Sequence, residues 1–124
     1  MTKYTYFWQG KAVRNSDREY AFGVTTADGD TVRSCHATER AAKMERTREI
    51  NEARQRLGNY ERAIKAREDG RSHYRAQIGR TIWQQKLKDS DTVPELTKWM
   101  EAVRGQIERA EKRQVVRLER RVNY

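Results

Sequence analysis

Apolar and polar residues alternate over the first third of the chain. Between Lys3 and Gln9, the rings of Tyr4, Tyr6 and Trp8 alternate with Thr5 and Phe7, the period-two pattern of a strand. A second run, Arg18 to Thr26, places Tyr20, Phe22 and Val24 on one face and Ala21, Gly23 and Thr25 on the other. Ala27-Asp28-Gly29-Asp30 then reads as a hairpin turn, because glycine and aspartate tolerate the backbone that tight turns need. Thr31 to Cys35 returns as a third strand, and Gly10 to Asp17 forms a loop with room for a short extra strand at Lys11 to Val13. The expected result is an antiparallel meander over residues 1–36.

Beyond residue 37 the apolar spacing changes to threes and fours. Thr38 is placed as an N-cap, and Ile50, Ala53, Leu57, Tyr60 and Ile64 form the seam of a long helix from about Glu39 to Glu68. Gly70 ends or kinks it. A shorter helix is expected from Ser72 to Lys88, with Tyr74, Ile78 and Ile82 in one row and Ala76, Trp83 and Leu87 in its neighbour. Asp89 to Thr92 is a polar break, and Thr92-Val93-Pro94-Glu95 matches a capping box with proline in the first turn. A third helix follows to Val122 through Leu96, Trp99 or Met100, Val103, Ile107, Ala110 and Leu118. Two helices of about 45 Å should pack antiparallel.

The expected fold is therefore α+β: an N-terminal three-stranded antiparallel sheet followed by two long helices and one shorter helix in an antiparallel bundle. The 124 residues make one domain, 1–124, with the sheet in 1–36 and the helices in 37–124. Hydrophobic residues are 35% of the chain against 36% charged, so the core must come from narrow stripes. Such seams make a homodimer an expectation, through Ile50, Leu57, Ile64 or Ile107, and leave room for a coiled-coil-like oligomer.

Charge adds a direction to this picture. The 27 basic residues exceed the 18 acidic ones, a net charge of +9, mostly as arginine, whose planar fork suits phosphates and carboxylates. The surplus is uneven. Ala37 to Lys88 holds 14 basic and 7 acidic residues, and Arg71 to Lys88 holds Arg71, Arg75, Arg80, Lys86 and Lys88 with no acid. Tyr74 and Trp83 in the same stretch could stack on bases or belong to the core. Arg113, Arg117, Arg120 and Arg121 recur near helical spacing at the C-terminus, where they could extend the surface or only complement the helix dipole.

No constellation for catalysis emerges. His36 and His73 belong to no ligand motif, Cys35 and His36 point to opposite faces of a strand, and the seven glycines form no phosphate-binding loop. One cysteine allows neither an internal disulfide nor a thiolate zinc site, and no cofactor or metal is expected. Absence of a signal-like or membrane-spanning run points to the cytoplasm. The reading is a non-enzymatic basic protein that engages nucleic acid or a nucleoprotein complex. The alternative is a small phage or mobile-element inhibitor or adaptor, anti-CRISPR-like or otherwise counter-defence, that docks on a host protein through Tyr4, Tyr6, Phe7 and Trp8 or the basic helices, or binds a phosphorylated nucleotide.

Overall fold

A computed structural model describes all residues, Met1–Tyr124. The order is β1 (Tyr4–Trp8), β2 (Lys11–Ser16), β3 (Phe22–Thr25), β4 (Val32–His36), α1 (Glu39–Glu68), β5 (His73–Ile78), β6 (Thr81–Lys86), α2 (Val93–Lys112), β7 (Val115–Arg117) and β8 (Glu119–Val122). The strands form three small sheets, ordered β2-β1-β8, β4-β3-β7 and β5-β6. This α+β chain therefore has two helices and eight strands, in place of the expected single sheet followed by a bundle of three helices. No helix is long and apolar enough to cross a membrane.

The N-terminal meander is instead two hairpins in separate sheets. Gln9 and Gly10 both adopt positive φ, 52° and 77°, which closes β1 on β2 by a two-residue turn whose twist matches that of the strands. The segment expected as a loop with a short strand is thus a full partner of β1. The turn expected at residues 27–30 is present: the Thr26 amide donates to the Thr31 carbonyl at 2.9 Å, and Asp28 Oδ1 accepts from Thr26 Oγ1 and the Asp30 amide.

Each of these two hairpins is completed into a three-stranded sheet from the far end of the chain, where a third helix running to Val122 was expected. Helix α2 stops at Lys112. There the Arg46 guanidinium donates to the carbonyls of Glu111 and Arg113, occupying acceptors that have no intrahelical partner. The β-branched Val115 and Val116 then favour an extended chain, and Thr25 and Gln114 exchange bonds that lead β7 onto β3. Leu118 is buried between β7 and β8, and its amide donates to the Ala21 carbonyl. Past it, β8 pairs with β1 in the register Tyr4↔Val122 to Phe7↔Glu119.

The helix expected over residues 72–88 is the hairpin β5–β6. Gly79 at φ 57° sits first in its two-residue turn, with Ile78 opposite Thr81. The two apolar rows read along this stretch are consequently broken up by strand geometry. Tyr74, Ala76 and Ile78 do share a face, but Ile82 turns to the other, and Trp83 stands opposite Ala76.

Helix α1 follows its sequence pattern. Thr38 Oγ1 accepts from the Ala41 amide at 3.1 Å, and at the other end the Arg71 amide reaches the Ala66 carbonyl at 2.8 Å with Gly70 at φ 72°, a left-handed stop that suits glycine. Thr92 caps α2 through the Glu95 amide.

The chain divides into two compact units, one of residues 1–48 and 109–124 and one of residues 49–108. In the first, Tyr4, Tyr6 and Leu118 are buried together, with Trp8, Tyr20, Val32 and Cys35 packed around them. Tyr6 is fully enclosed, and its hydroxyl donates to the Arg18 carbonyl while accepting from the Tyr20 amide. Gly23 is required here by close approach: a Cβ at this position would stand 2.6 Å from Val32 Cγ1. In the second unit, Ala63, Ala66, Leu87 and Leu96 are buried, with Tyr60, Ile64 and Tyr74 against them. Ile50 and Ala53, on the seam that suggested a homodimer, are buried within the single chain.

Candidate functional site

The β5–β6 hairpin is held by side chains of α1. Gln55, Asn59 and Arg62 are spaced by four and three, so they share one side of the helix. Gln55 accepts from the Gly79 amide and donates to the Gly79 carbonyl, at 2.9 and 3.1 Å. Asn59 does the same for Gln77, at 2.9 and 3.0 Å, and Arg62 Nε donates to the Arg75 carbonyl at 2.6 Å. Three polar side chains thus satisfy the outer edge of β5 as a neighbouring strand would. Arg62 is fixed further by Asn59 Oδ1 at 2.6 Å, and its guanidinium lies 3.2 Å from where a Cβ of Gly58 would stand.

This anchoring gives the hairpin two distinct faces. Tyr74, Ala76 and Trp83 point inward. Tyr74 packs on the Ala63, Ala66, Leu87 and Leu96 cluster, and burial, with the nearby Asp91 charge second, pushes its phenol pKa up. Trp83 is half-buried, with its indole N–H donating to Gln85 Oε1 at 2.9 Å. The outward face carries His73 opposite Lys86, Arg75 opposite Gln84, and Gln77 opposite Ile82. The two rings considered for base stacking therefore lie on the face away from Arg75 and Lys86. Arg80 is exposed at the tip. Lys88 follows β6 in a loop whose Asp91 carboxylate accepts the Lys88 amide, and Arg67 holds that loop through the Asp91 and Lys88 carbonyls.

Arg71 lies beside His73 and Arg75 at the base of the hairpin. With Arg62, Lys65, His73 and Arg75 it lines a cavity of about 140 Å³ at the end of α1, where Ala66 and Tyr74 complete the wall. No carboxylate lines it. Glu61, Glu68 and Asp69, although close in sequence, are not among its lining residues. Ser72 Oγ lies 2.8 Å from His73 Nδ1, which leaves the ring's Nε2 uncommitted. Arg62 and Lys65 were missed in the sequence because they sit among the acids of α1. Their signal is a spacing of three near the helix end, together with the glycine turn that sends β5 back past it.

The C-terminal arginines are not on a helix, contrary to the helical spacing read for them, and they act within the first unit. Arg117 lies over the Phe22 ring at 5.5 Å, Arg120 over Tyr4 at 4.8 Å and Arg121 over Phe7 at 4.2 Å. Arg120 also meets Glu19 at 3.3 Å, while half-buried Arg113 gives its carbonyl to Arg46. These stacked guanidiniums cover aromatic surface and so belong to the packing of the sheet.

No group of three or more His, Cys, Asp or Glu side chains is placed to hold a metal ion. His36 Nε2 lies 2.9 Å from Ser34 Oγ, and burial raises the Cys35 thiol pKa, with Arg14 opposing in part. Comparison with protein-family models, with curated proteins and with solved structures finds no match for this chain.

Proposed function

We propose that this chain is a non-enzymatic nucleic-acid-binding protein that grips phosphates with the outward face of the β5–β6 hairpin. The observation carrying this reading is an exposed face with Arg75 and Lys86 that has no acidic side chain, flanked by Arg80 and Arg71. Cations left without carboxylates in the chain are available to a polyanion, and releasing its counterions drives association. Lys88 extends the surface at the base of the hairpin. The arginines at 113, 117, 120 and 121 contribute less, because intramolecular contacts already hold them. Contacts of this kind position a backbone and do not read bases. A cytoplasmic location and a nucleic acid or nucleoprotein partner are parts of the same proposal.

The test is reversal of Arg75, Arg80 and Lys86 to Glu, which takes the net charge from +9 to +3. Affinity for single-stranded DNA, RNA or duplex should fall steeply, and the slope of log K against log salt should shrink by about 0.7–0.9 per lost contact. Unchanged binding by a triple variant of native circular dichroism would overturn the proposal. The inhibitor alternative drew on the aromatic strand or the basic helices, or on a phosphorylated nucleotide; in that strand Tyr4 and Tyr6 are buried, which leaves half-buried Phe7 and Trp8 to a protein partner.

A further inference from the structure

We infer that the chain forms a two-fold dimer through the open edge of β6, where β6 of a second copy adds antiparallel and joins two hairpins into one sheet ordered β5-β6-β6-β5. The inference stands without the nucleic-acid reading.

Of the three hairpins, β5–β6 alone lacks a third strand. β8 completes β1–β2 and β7 completes β3–β4, whereas a two-stranded hairpin is marginal unless something packs along it. Its β5 edge is closed by Gln55, Asn59 and Arg62 of α1. Its β6 edge is open. With Ile78 opposite Thr81 across a two-residue turn, the backbone groups of Thr81, Trp83 and Gln85 face β5, and those of Ile82, Gln84 and Lys86 face out. The Leu87 amide, bonded to the Ser72 carbonyl at 2.9 Å, continues the same alternation. Of the outward groups, the Lys86 carbonyl takes a 3.4 Å bond from Gln85 Nε2, and the rest have no partner within the chain.

Native chains blunt exposed edges with charge, proline or a bulge. The outer strands of the other two sheets show this. β2 and β4 each hold an extra residue, Val13 and Arg33, that is passed over in the pairing. β2 also carries Lys11 and Arg14, and β8 carries Glu119, Arg120 and Arg121. β6 pairs with β5 without a shift, and its one charge, Lys86, stands at its end.

The occupant that fits this edge is the edge itself. Pairing centred on Gln84 sets Gln84 against Gln84 of the second copy and Ile82 against its Lys86, in both directions, with about six backbone bonds formed. Facing glutamine amides can each donate and accept. Ile82 is 47% exposed and gains cover from the lysine stem, whose ammonium still reaches water. Within the strands no charge stands opposite a like charge, and the two Lys86 lie about 14 Å apart, beyond a Debye length of about 8 Å. Past the strand ends, Lys88 comes nearest to Arg80 of the second copy, but both are exposed, where salt screens them. The joined sheet places Arg75 and Lys86 of both copies on one outward face.

Sedimentation of the full chain without nucleic acid should show monomer giving way to dimer between about 1 and 200 µM, as a small interface implies. Gln84→Pro removes the central outward amide and no bond of the hairpin, so association should weaken about tenfold or more while circular dichroism stays native. Should the proline variant fail to fold, Ile82→Lys puts a like charge opposite Lys86 of the second copy and should weaken the dimer as much. In a Cys35→Ser background, Gln84→Cys should oxidise to a covalent dimer. Arg75→Cys should not, because its two copies lie about 14 Å apart across the sheet. A strict monomer up to about 200 µM overturns the inference and leaves the edge to a strand of another protein. A dimer that a natively folded Gln84→Pro or Ile82→Lys leaves at full strength overturns it too, and moves the contact to another surface.

Discussion

In the unit of residues 1–48 and 109–124, Arg14, Arg117, Arg120 and Arg121 each lie over an aromatic ring, while in the unit of residues 49–108 Arg71, Arg75 and Lys86 meet neither ring nor carboxylate. Yet the first unit has the larger surplus of charge, 15 basic against 8 acidic residues, and the second has 12 against 10. Net charge therefore does not locate the candidate surface. What locates it is how each cation is already used. In the first unit Arg46 caps a helix end, Arg48 pairs with Glu45 and Lys43 pairs with Glu39, so much of the surplus serves the fold.

The comparison breaks most severely if the ring platform is removed. Tyr6 is fully buried, stacks edge-on against Tyr20 and lies 6.3 Å from Tyr4. Tyr6→Ala should cost about 3–5 kcal/mol, as loss of a large core ring does, and urea unfolding followed by tryptophan fluorescence measures it. A loss below about 1 kcal/mol would mean that the rings do not organise this unit.

A sharper division comes from the stacked arginines themselves. Arg120→Ala and Arg121→Ala should each lower stability by about 0.5–1 kcal/mol, the scale of an exposed cation–π contact. The salt slope of nucleic-acid binding should stay within error. A slope that shrinks as much as it does for the hairpin cations would erase the distinction between the units.

The smallest effect belongs to Cys35, whose thiol titrates above its ordinary 9.0 because burial disfavours the thiolate. At pH 8, alkylation by iodoacetamide should be slower than in the urea-unfolded chain. The sign for stability follows: a raised folded pKa gives a small contribution that is complete below pH 9.0 and fades as pH rises through the folded value. A thiol that reacts faster in the folded chain would contradict the assignment.

Local features were legible in the residues themselves. The cap at Thr38, the run of α1 to Glu68, the stop at Gly70, the turn around Gly29 and the cap at Thr92 all depend on neighbours within a few positions, so their signals are contiguous in the chain. The acid-free stretch from Arg71 to Lys88 was equally readable, because charge needs no fold to be counted. Its shape was not, for Tyr74, Ile78 and Ile82 happen to be spaced by four, and that spacing outweighed the Gly79-Arg80 turn.

Only the tertiary structure could join Arg62 and Lys65 to Arg71 and Arg75, since the edge of β5 is completed by side chains from a helix, a pairing without sequence periodicity. The same holds for β8. Glu119-Arg120-Arg121-Val122 contains one apolar residue and becomes a strand because Tyr4 to Phe7 offer it a free edge, with Arg120 and Arg121 covering rings where valine or isoleucine would otherwise stand. A contact made across more than a hundred residues depends on the partner surface being there, and the short segment that answers it carries no pattern of its own.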